Sequence, residues 1–207
     1  MTLHGWFSSP LIMMRLERAL RREGYQVFSP AYRSIRVPLD RLATEFLPDF
    51  LRRSIPSGIA RLHFVCHSMG GLVLRGALAG HRPSALGRVV FLGTPHHGSE
   101  AADFWARSAL CRWVAGPNLA ALRTGPAGYA ATLGPVDYES LVIAGDRPLS
   151  PFWSALPAPH DGKVSVASTR LPGATRHLTL HHPHIALPIR AEIIRQVVGF
   201  LRGNAGG

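Results

Sequence analysis

The segment best equipped for chemistry is Leu62-His63-Phe64-Val65-Cys66-His67-Ser68-Met69-Gly70-Gly71. Its first half reads as a buried strand and its second half opens a helix. Between them Ser68 sits at the apex of a sharp turn, the arrangement usually written G-x-S-x-G. Such a turn forces the serine backbone into a strained conformation, so the residues two places either side must be small. Gly70 and Gly71 meet that demand. Cys66 stands where the first glycine is usual; it is small enough to be tolerated, though it crowds the turn. The helix after Ser68 points unpaired backbone N–H groups at the hydroxyl and favours negative charge there. A serine so placed is a nucleophile in need of a base.

That base must be a histidine, because only imidazole takes and returns a proton near neutral pH without large retuning. All 11 histidines compete for that role, among them His177, His181, His182 and His184 near the end of the chain. The base in turn needs a carboxylate to orient it and to stabilise its charged form. Asp103, Asp137, Asp146 and Asp161 follow Ser68, with Glu100, Glu139 and Glu192 as weaker candidates. Asp146 ends Ile143-Ala144-Gly145-Asp146 directly after a strand, and Asp161 opens an Asp-Gly turn. Residue type and spacing leave these choices open. His181, His182 and His184 also raise a metal site, but no Cys or carboxylate ligand lies within the cluster and no metal is expected.

Four segments in order now resemble the α/β-hydrolase family, and within it small bacterial lipase- and esterase-like members. They are Leu3-His4-Gly5-Trp6, Cys66 to Gly71, Leu92-Gly93-Thr94-Pro95-His96-His97-Gly98-Ser99, and Asp161-Gly162-Lys163-Val164, completed by a histidine-bearing loop before a C-terminal helix. The resemblance implies the order serine, acid, histidine. It places the base at His184, immediately ahead of the last helix, with His182 and His181 as rivals. It places the acid at Asp161, in an Asp-Gly-x-Val stretch that follows a Gly-Asp-Arg stretch and a proline-rich loop, with Asp146 as the rival. It assigns an oxyanion hole to the backbone N–H groups of Trp6 and Met69. Carboxylic ester hydrolysis through an acyl-enzyme on Ser68 is the implied activity, on short to medium acyl esters or lipids, with no cofactor. An acyltransferase on the same fold is the nearest alternative. A hydrolase-like protein that binds a partner without catalysis is another, motivated by Cys66 and by the three residues that precede His4, where the resembling enzymes have a full strand.

The elements that must position these residues alternate. Strands are predicted at Met1 to His4 (a stub), Tyr25 to Ser29, Leu62 to Cys66, Arg88 to Leu92, Glu139 to Ala144 and Arg176 to Leu180. Helices are predicted from Leu11 to Gly24 (Leu11, Leu16, Ala19 and Leu20 inward), Asp40 to Arg53 (kinked at Pro48), Met69 to Leu78 and Ala186 to Leu201 (Ile189 among the inward residues). The alternation specifies an α/β fold of about six mainly parallel strands flanked by helices, one domain over residues 1–207. Ser99 to Pro135 breaks the pattern and is expected to form a short helical cap over residues 99–135. Phe104, Trp105, Leu110, Trp113, Phe152 and Trp153 supply an apolar wall if they converge over Ser68. Trp105, Trp113, Trp153 and His96 are the candidate substrate contacts.

Composition bounds the rest. The 207 residues are 46% hydrophobic and 17% charged, a compact globular chain and neither a disordered tail nor a coiled coil. No apolar run approaches the ~20 residues of a membrane span. Lys+Arg of 23 against Asp+Glu of 12 gives a net charge of +11. The excess is nearly all arginine, scattered along the chain, and Lys163 is the single lysine. Arg15, Arg18, Arg21 and Arg22 form the densest patch, on the polar side of the first helix, and could attract anionic surfaces or substrates; no nucleic-acid motif accompanies them. Cys66 and Cys111 lack any framework spacing and read as free thiols. No secretory signal opens the sequence, so as written it is expected to be cytoplasmic.

Overall fold

The computed structural model describes residues 1–149 and 156–203. Five parallel strands form one sheet in the order β1 (Thr2–Leu3), β2 (Leu62–His67), β3 (Leu86–Leu92), β4 (Ser140–Gly145) and β5 (Arg176–Leu180). The register pairs Leu3 with Cys66, His67 with Leu92, Leu92 with Ile143 and Gly145 with Leu180. The strand ends that carry loops with chemistry therefore lie along one edge, where open parallel sheets form their ligand crevice.

Both faces of the sheet are covered, which explains why its strands are apolar runs without alternation. Phe64, Cys66, Phe91 and Val142 pack into one core, beneath α4 (Met69–Gly80) and a helical stretch formed by α2 (Leu39–Arg41), a π-helical turn (Leu42–Phe46) and α3 (Leu47–Ser54). Their neighbours in sequence, Val65, Val90, Leu92, Leu141 and Ile143, point the other way, towards residues of α1 (Met14–Arg22) and α8 (Ala191–Arg202). The π-helical turn sits just ahead of Pro48, whose missing N–H forces the helical ladder out of its normal register; this is the irregularity expected there.

Three sequence expectations change. The sheet has five strands where six were predicted, because Tyr25 to Ser29 forms no strand. It runs beside β1, with Thr2 N donating to Phe28 O at 2.9 Å, but a two-residue β1 offers little to pair with and Pro30 has no N–H to extend a ladder. Leu11 is exposed, in a 3₁₀ turn (Pro10–Met13), and Met13 takes its place in the core with Leu16 and Leu20. The final helix starts at Ala191, since Pro188 follows a 3₁₀ turn (His184–Ala186), and Ile189 is left at the surface. The segment expected to cap the sheet holds α5 (Glu100–Trp105), α6 (Ala109–Ala115), α7 (Asn118–Ala121) and a 3₁₀ turn (Tyr129–Thr132).

Candidate active site

Ser68 joins β2 to α4 with φ of 54° and ψ of −127°, the strained left-handed region that a non-glycine residue occupies only when its surroundings enforce it. Those surroundings are specific. Ser68 N donates to Leu92 O at 2.8 Å, and Gly71 N donates back to Ser68 O at 3.0 Å. A Cβ on Gly70 would lie 2.6 Å from His4 O, and one on Gly71 would lie 2.2 Å from Thr94 Oγ1, so both glycines are required by close packing. Cys66 causes no obstruction: it is fully buried in the core beside Leu3 and Met69, and burial pushes its thiol well above the ordinary range. Cys66 and Cys111 carry free thiols.

The loop after β1 lies directly on the elbow. A Cβ on Gly5 would come 2.9 Å from Ser68 Cβ, so only glycine lets this backbone approach the serine. His4 is locked beneath it, stacked on Tyr32 at 4.0 Å, with the Tyr32 hydroxyl donating to His4 O. Trp6 follows, and Phe7 turns the chain at φ of 52°. Met69 opens α4, so its N–H has no partner within the helix. Trp6 lines the same pocket as Ser68, and Met69 follows Ser68 in the chain.

His184 and Asp161 meet at 2.7 Å between Nδ1 and Oδ2, with side chains 3% and 0% exposed. A carboxylate only accepts, so Nδ1 carries the proton and Nε2 of the neutral ring is the free lone pair. The other carboxylate oxygen, Oδ1, accepts from the backbone N–H groups of Lys163 and Val164, each at 2.9 Å. His184 N also donates to Asp161 O at 3.0 Å. Serine and histidine converge on the corner at the end of β3: Leu92 O receives Ser68 N, and a Cβ on the next residue, Gly93, would lie 3.0 Å from His184 Nδ1.

The rivals are engaged elsewhere. His181 Nδ1 pairs with Asp146 at 2.9 Å at the surface, and His182 Nε2 pairs with Glu192 at 2.9 Å. His177 bonds Thr169 Oγ1 at 2.9 Å. Among the described residues no group of three His, Cys, Asp or Glu side chains could hold a metal ion, and no helix is long and apolar enough to cross a membrane.

A pocket of about 430 Å³ opens beside Ser68. Trp6, Phe7, Trp105, Leu110, Val114 and Val164 give it an apolar wall, and Lys163 is the charged residue at its edge, its ammonium held below the ordinary range by burial. Of the substrate contacts expected from sequence, Trp105 lines this pocket. Trp113 does not: α6 supplies Leu110, Cys111 and Val114 to the pocket and leaves Trp113 out of it, 78% exposed. His96 is also away from the pocket. Its Nδ1 accepts from the Arg75 guanidinium at 3.1 Å, and its ring packs edge-on against Phe91 at 4.8 Å. Burial and the Arg75 charge together hold His96 well below its usual range, so it stays neutral. Trp153, with Phe152, lies outside the described residues.

Two contributions escaped the sequence reading. His67, adjacent to the nucleophile, is buried; its Nε2 donates to His184 O at 3.1 Å and its ring lies 4.9 Å from the His184 ring. Burial, then the neighbouring His184, holds it well below the usual histidine range. Its position in His67-Ser68 was the available signal. The second is the tie between cap and acid loop. Ser99 caps α5 by accepting from Ala102 N at 3.3 Å, and it also donates to Lys163 O at 2.7 Å. Glu100 adds bonds to Ser165 N and Oγ, so the pocket wall and the Asp161 turn are one connected unit.

The fold is that of the α/β-hydrolases. The mature form of lipase BlEst2 from Bacillus licheniformis superposes with a TM-score of 0.74 at 22% identity, over 96% of this chain and 87% of that one. A metagenomic carboxyl esterase matches with a TM-score of 0.70 at 16% identity, over 90% of this chain and 64% of that one. Carboxylesterase CesB from Bacillus subtilis matches with a TM-score of 0.54 at 15% identity, over 98% and 82%. No family model matches the sequence, and no curated protein matches it by sequence.

Proposed function

We propose that this chain hydrolyses carboxylic esters through an acyl-enzyme on Ser68. The observation that carries the reading is the buried His184–Asp161 pair at 2.7 Å, set at the same corner of β3 as a serine held at φ of 54° beside an apolar pocket. In this reading Ser68 Oγ attacks the ester carbonyl carbon while its proton passes to His184 Nε2. Asp161 stabilises the imidazolium and keeps the ring in the Nδ1–H tautomer. The N–H groups of Trp6 and Met69 receive the negative charge on the carbonyl oxygen, at the N-terminus of a 12-residue helix. Loss of one such donor costs about 2.7–4 kcal/mol of transition-state stabilisation. The tetrahedral adduct then breaks its bond to the leaving alcohol, which takes the proton from His184. Water, deprotonated by the same nitrogen, releases the acid and restores Ser68. The apolar wall and the structural likeness to lipases and carboxylesterases support acyl esters or lipids of short to medium chain as substrates.

Mass spectrometry after a fluorophosphonate probe tests this directly. One adduct on Ser68 that is absent from Ser68→Ala is expected, and a series of p-nitrophenyl esters then orders the acyl lengths. A folded protein that takes no adduct removes the reading.

A further inference from the structure

Five of the arginines that the proposed reaction leaves unused gather in one place in three dimensions. Arg15, Arg18 and Arg22 of α1 line one side of a groove of about 740 Å³, and Arg195 and Arg202 of α8 line the other. Their spacings, i, i+3, i+7 on α1 and i, i+7 on α8, put each set on one face of its helix. Between these two rims the floor is small and apolar: Ala19, Ile194, Val198 and Gly199. Arg202 pairs with Glu23 across one end of the groove. Arg15, Arg18, Arg22 and Arg195 have no carboxylate partner among the described residues.

Gly199 is the informative residue. It sits inside α8, where glycine costs about 1 kcal/mol relative to alanine. Glycine is required in a helix when a side chain would collide, yet a Cβ on Gly199 would meet nothing within 4 Å. The fold itself gives no reason for it. A second body that approaches the floor closely does.

We propose that the groove between α1 and α8 docks an acidic amphipathic helix of a partner polypeptide. Two helices with a shallow small-residue floor accept a third helix, whose apolar stripe covers Ala19, Ile194, Val198 and Gly199. Acidic residues flanking that stripe meet the arginine rims on both sides, where guanidinium–carboxylate pairs are strong and geometrically specific. A flat anionic membrane would touch the rims and leave the floor empty. A polyphosphate or nucleic acid would use the charges and have no need of Gly199.

The test uses the whole chain and a labelled synthetic peptide of about 18 residues, long enough to hold a helix, with a Leu/Ala stripe flanked by Glu on both sides. A scrambled peptide of equal composition has the charge without the stripe. Fluorescence anisotropy should show the striped peptide binding at least roughly tenfold more tightly than the scrambled one. Gly199→Leu, which fills the floor, and the double variant Arg15→Glu with Arg195→Glu should each weaken binding by roughly tenfold or more. Gly199→Ala should raise Tm, since the fold does not use the glycine. A fall in Tm for Gly199→Ala would show that the glycine serves the fold, and would overturn the proposal. So would equal binding of the two peptides, binding that Gly199→Leu leaves intact, or displacement of the peptide by anionic vesicles or polyphosphate in a manner indifferent to Gly199→Leu.

Discussion

Two histidine–aspartate pairs lie at neighbouring strand ends, and they differ in almost nothing that a sequence records. His184 meets Asp161 at 2.7 Å and His181 meets Asp146 at 2.9 Å, each through Nδ1. The side chains of the first pair are 3% and 0% exposed; those of the second are 70% and 29% exposed. The first acid is also held by two backbone N–H groups, so it stays fixed whether or not the histidine moves. A pair in a partly buried setting interacts with about 4 kcal/mol at 4 Å, against about 1 kcal/mol in bulk water. Burial and fixation, then, separate a pair that can stabilise an imidazolium during a reaction from one that decorates a surface.

The largest expected effect breaks the buried pair at its base. His184→Ala should lower kcat on a p-nitrophenyl ester by about 10⁶-fold, with fluorophosphonate labelling of Ser68 falling in parallel. Asp161→Asn comes next. Its Oδ1 can still accept from Lys163 and Val164, but the amide donates where the carboxylate accepted and so selects the wrong histidine tautomer. A loss of about 10⁴-fold in kcat with little change in KM is expected. A loss carried by KM instead would make Asp161 a residue of substrate fit, and the pairing argument would fail.

Gly145 offers a subtler way to disturb the contrast. It ends β4 immediately before Asp146, and a Cβ there would lie 2.2 Å from His182 O and 2.9 Å from Asp161 Cβ. Gly145→Ala must push the Asp161 turn away from the loop that carries His184. Overpacking of this kind costs about 1–3 kcal/mol, and a shift of about 1 Å in a catalytic group costs roughly 100-fold in rate. Thermal melts together with kcat should show both. A stable variant of full activity would mean that the buried pair tolerates displacement and that its fixation matters less than its burial.

These effects also mark what was legible beforehand. The strand runs and the elbow at Ser68 rest on local pattern, the choice of His184 and Asp161 as partners rests on the resemblance to the α/β-hydrolases, and the geometry brings those two side chains together. What the sequence could not reveal were matters of facing and depth. Trp113 and Trp105 belong to helices too short for periodicity to tell inside from outside. His96 reads as a substrate contact until the helix after Ser68 delivers Arg75 to it. Tyr25 to Ser29 has the composition of a strand, but strand formation depends on a partner, and β1 is two residues long.

The buried region also bears a pH signature. His67 beneath His184 is held well below the usual histidine range by burial, and His96 and His4 shift the same way for the same first cause. In the unfolded chain each titrates near about 6.5. Below that pH the unfolded chain binds protons that the folded chain excludes, so stability falls as pH drops from about 6.5 and is unaffected above it. The slope should approach about 1.4 kcal/mol per pH unit for each such histidine. Denaturant melts of His67→Gln should show a shallower loss than the parent between neutral pH and pH 5.5. An unchanged slope would assign the acid sensitivity to the other histidines that burial holds low, His4, His63, His96 and His177.

The smallest effect is the one that makes the comparison decisive. His181 and Asp146 share ring nitrogen, acid type and nearly the same distance with the buried pair, so a purely geometric criterion would give them equal standing. The His181 side of their contact is open to water, where an ion pair contributes about 0–1 kcal/mol and is weakened further by salt. Neither side chain lines the pocket beside Ser68. His181→Ala and Asp146→Asn should each leave kcat/KM within about twofold of the parent and unfolding free energy within roughly 0.5 kcal/mol. A tenfold fall in kcat from either would mean that the loop after β5 works as one unit and that the exposed pair positions His184, and burial alone would no longer separate the two.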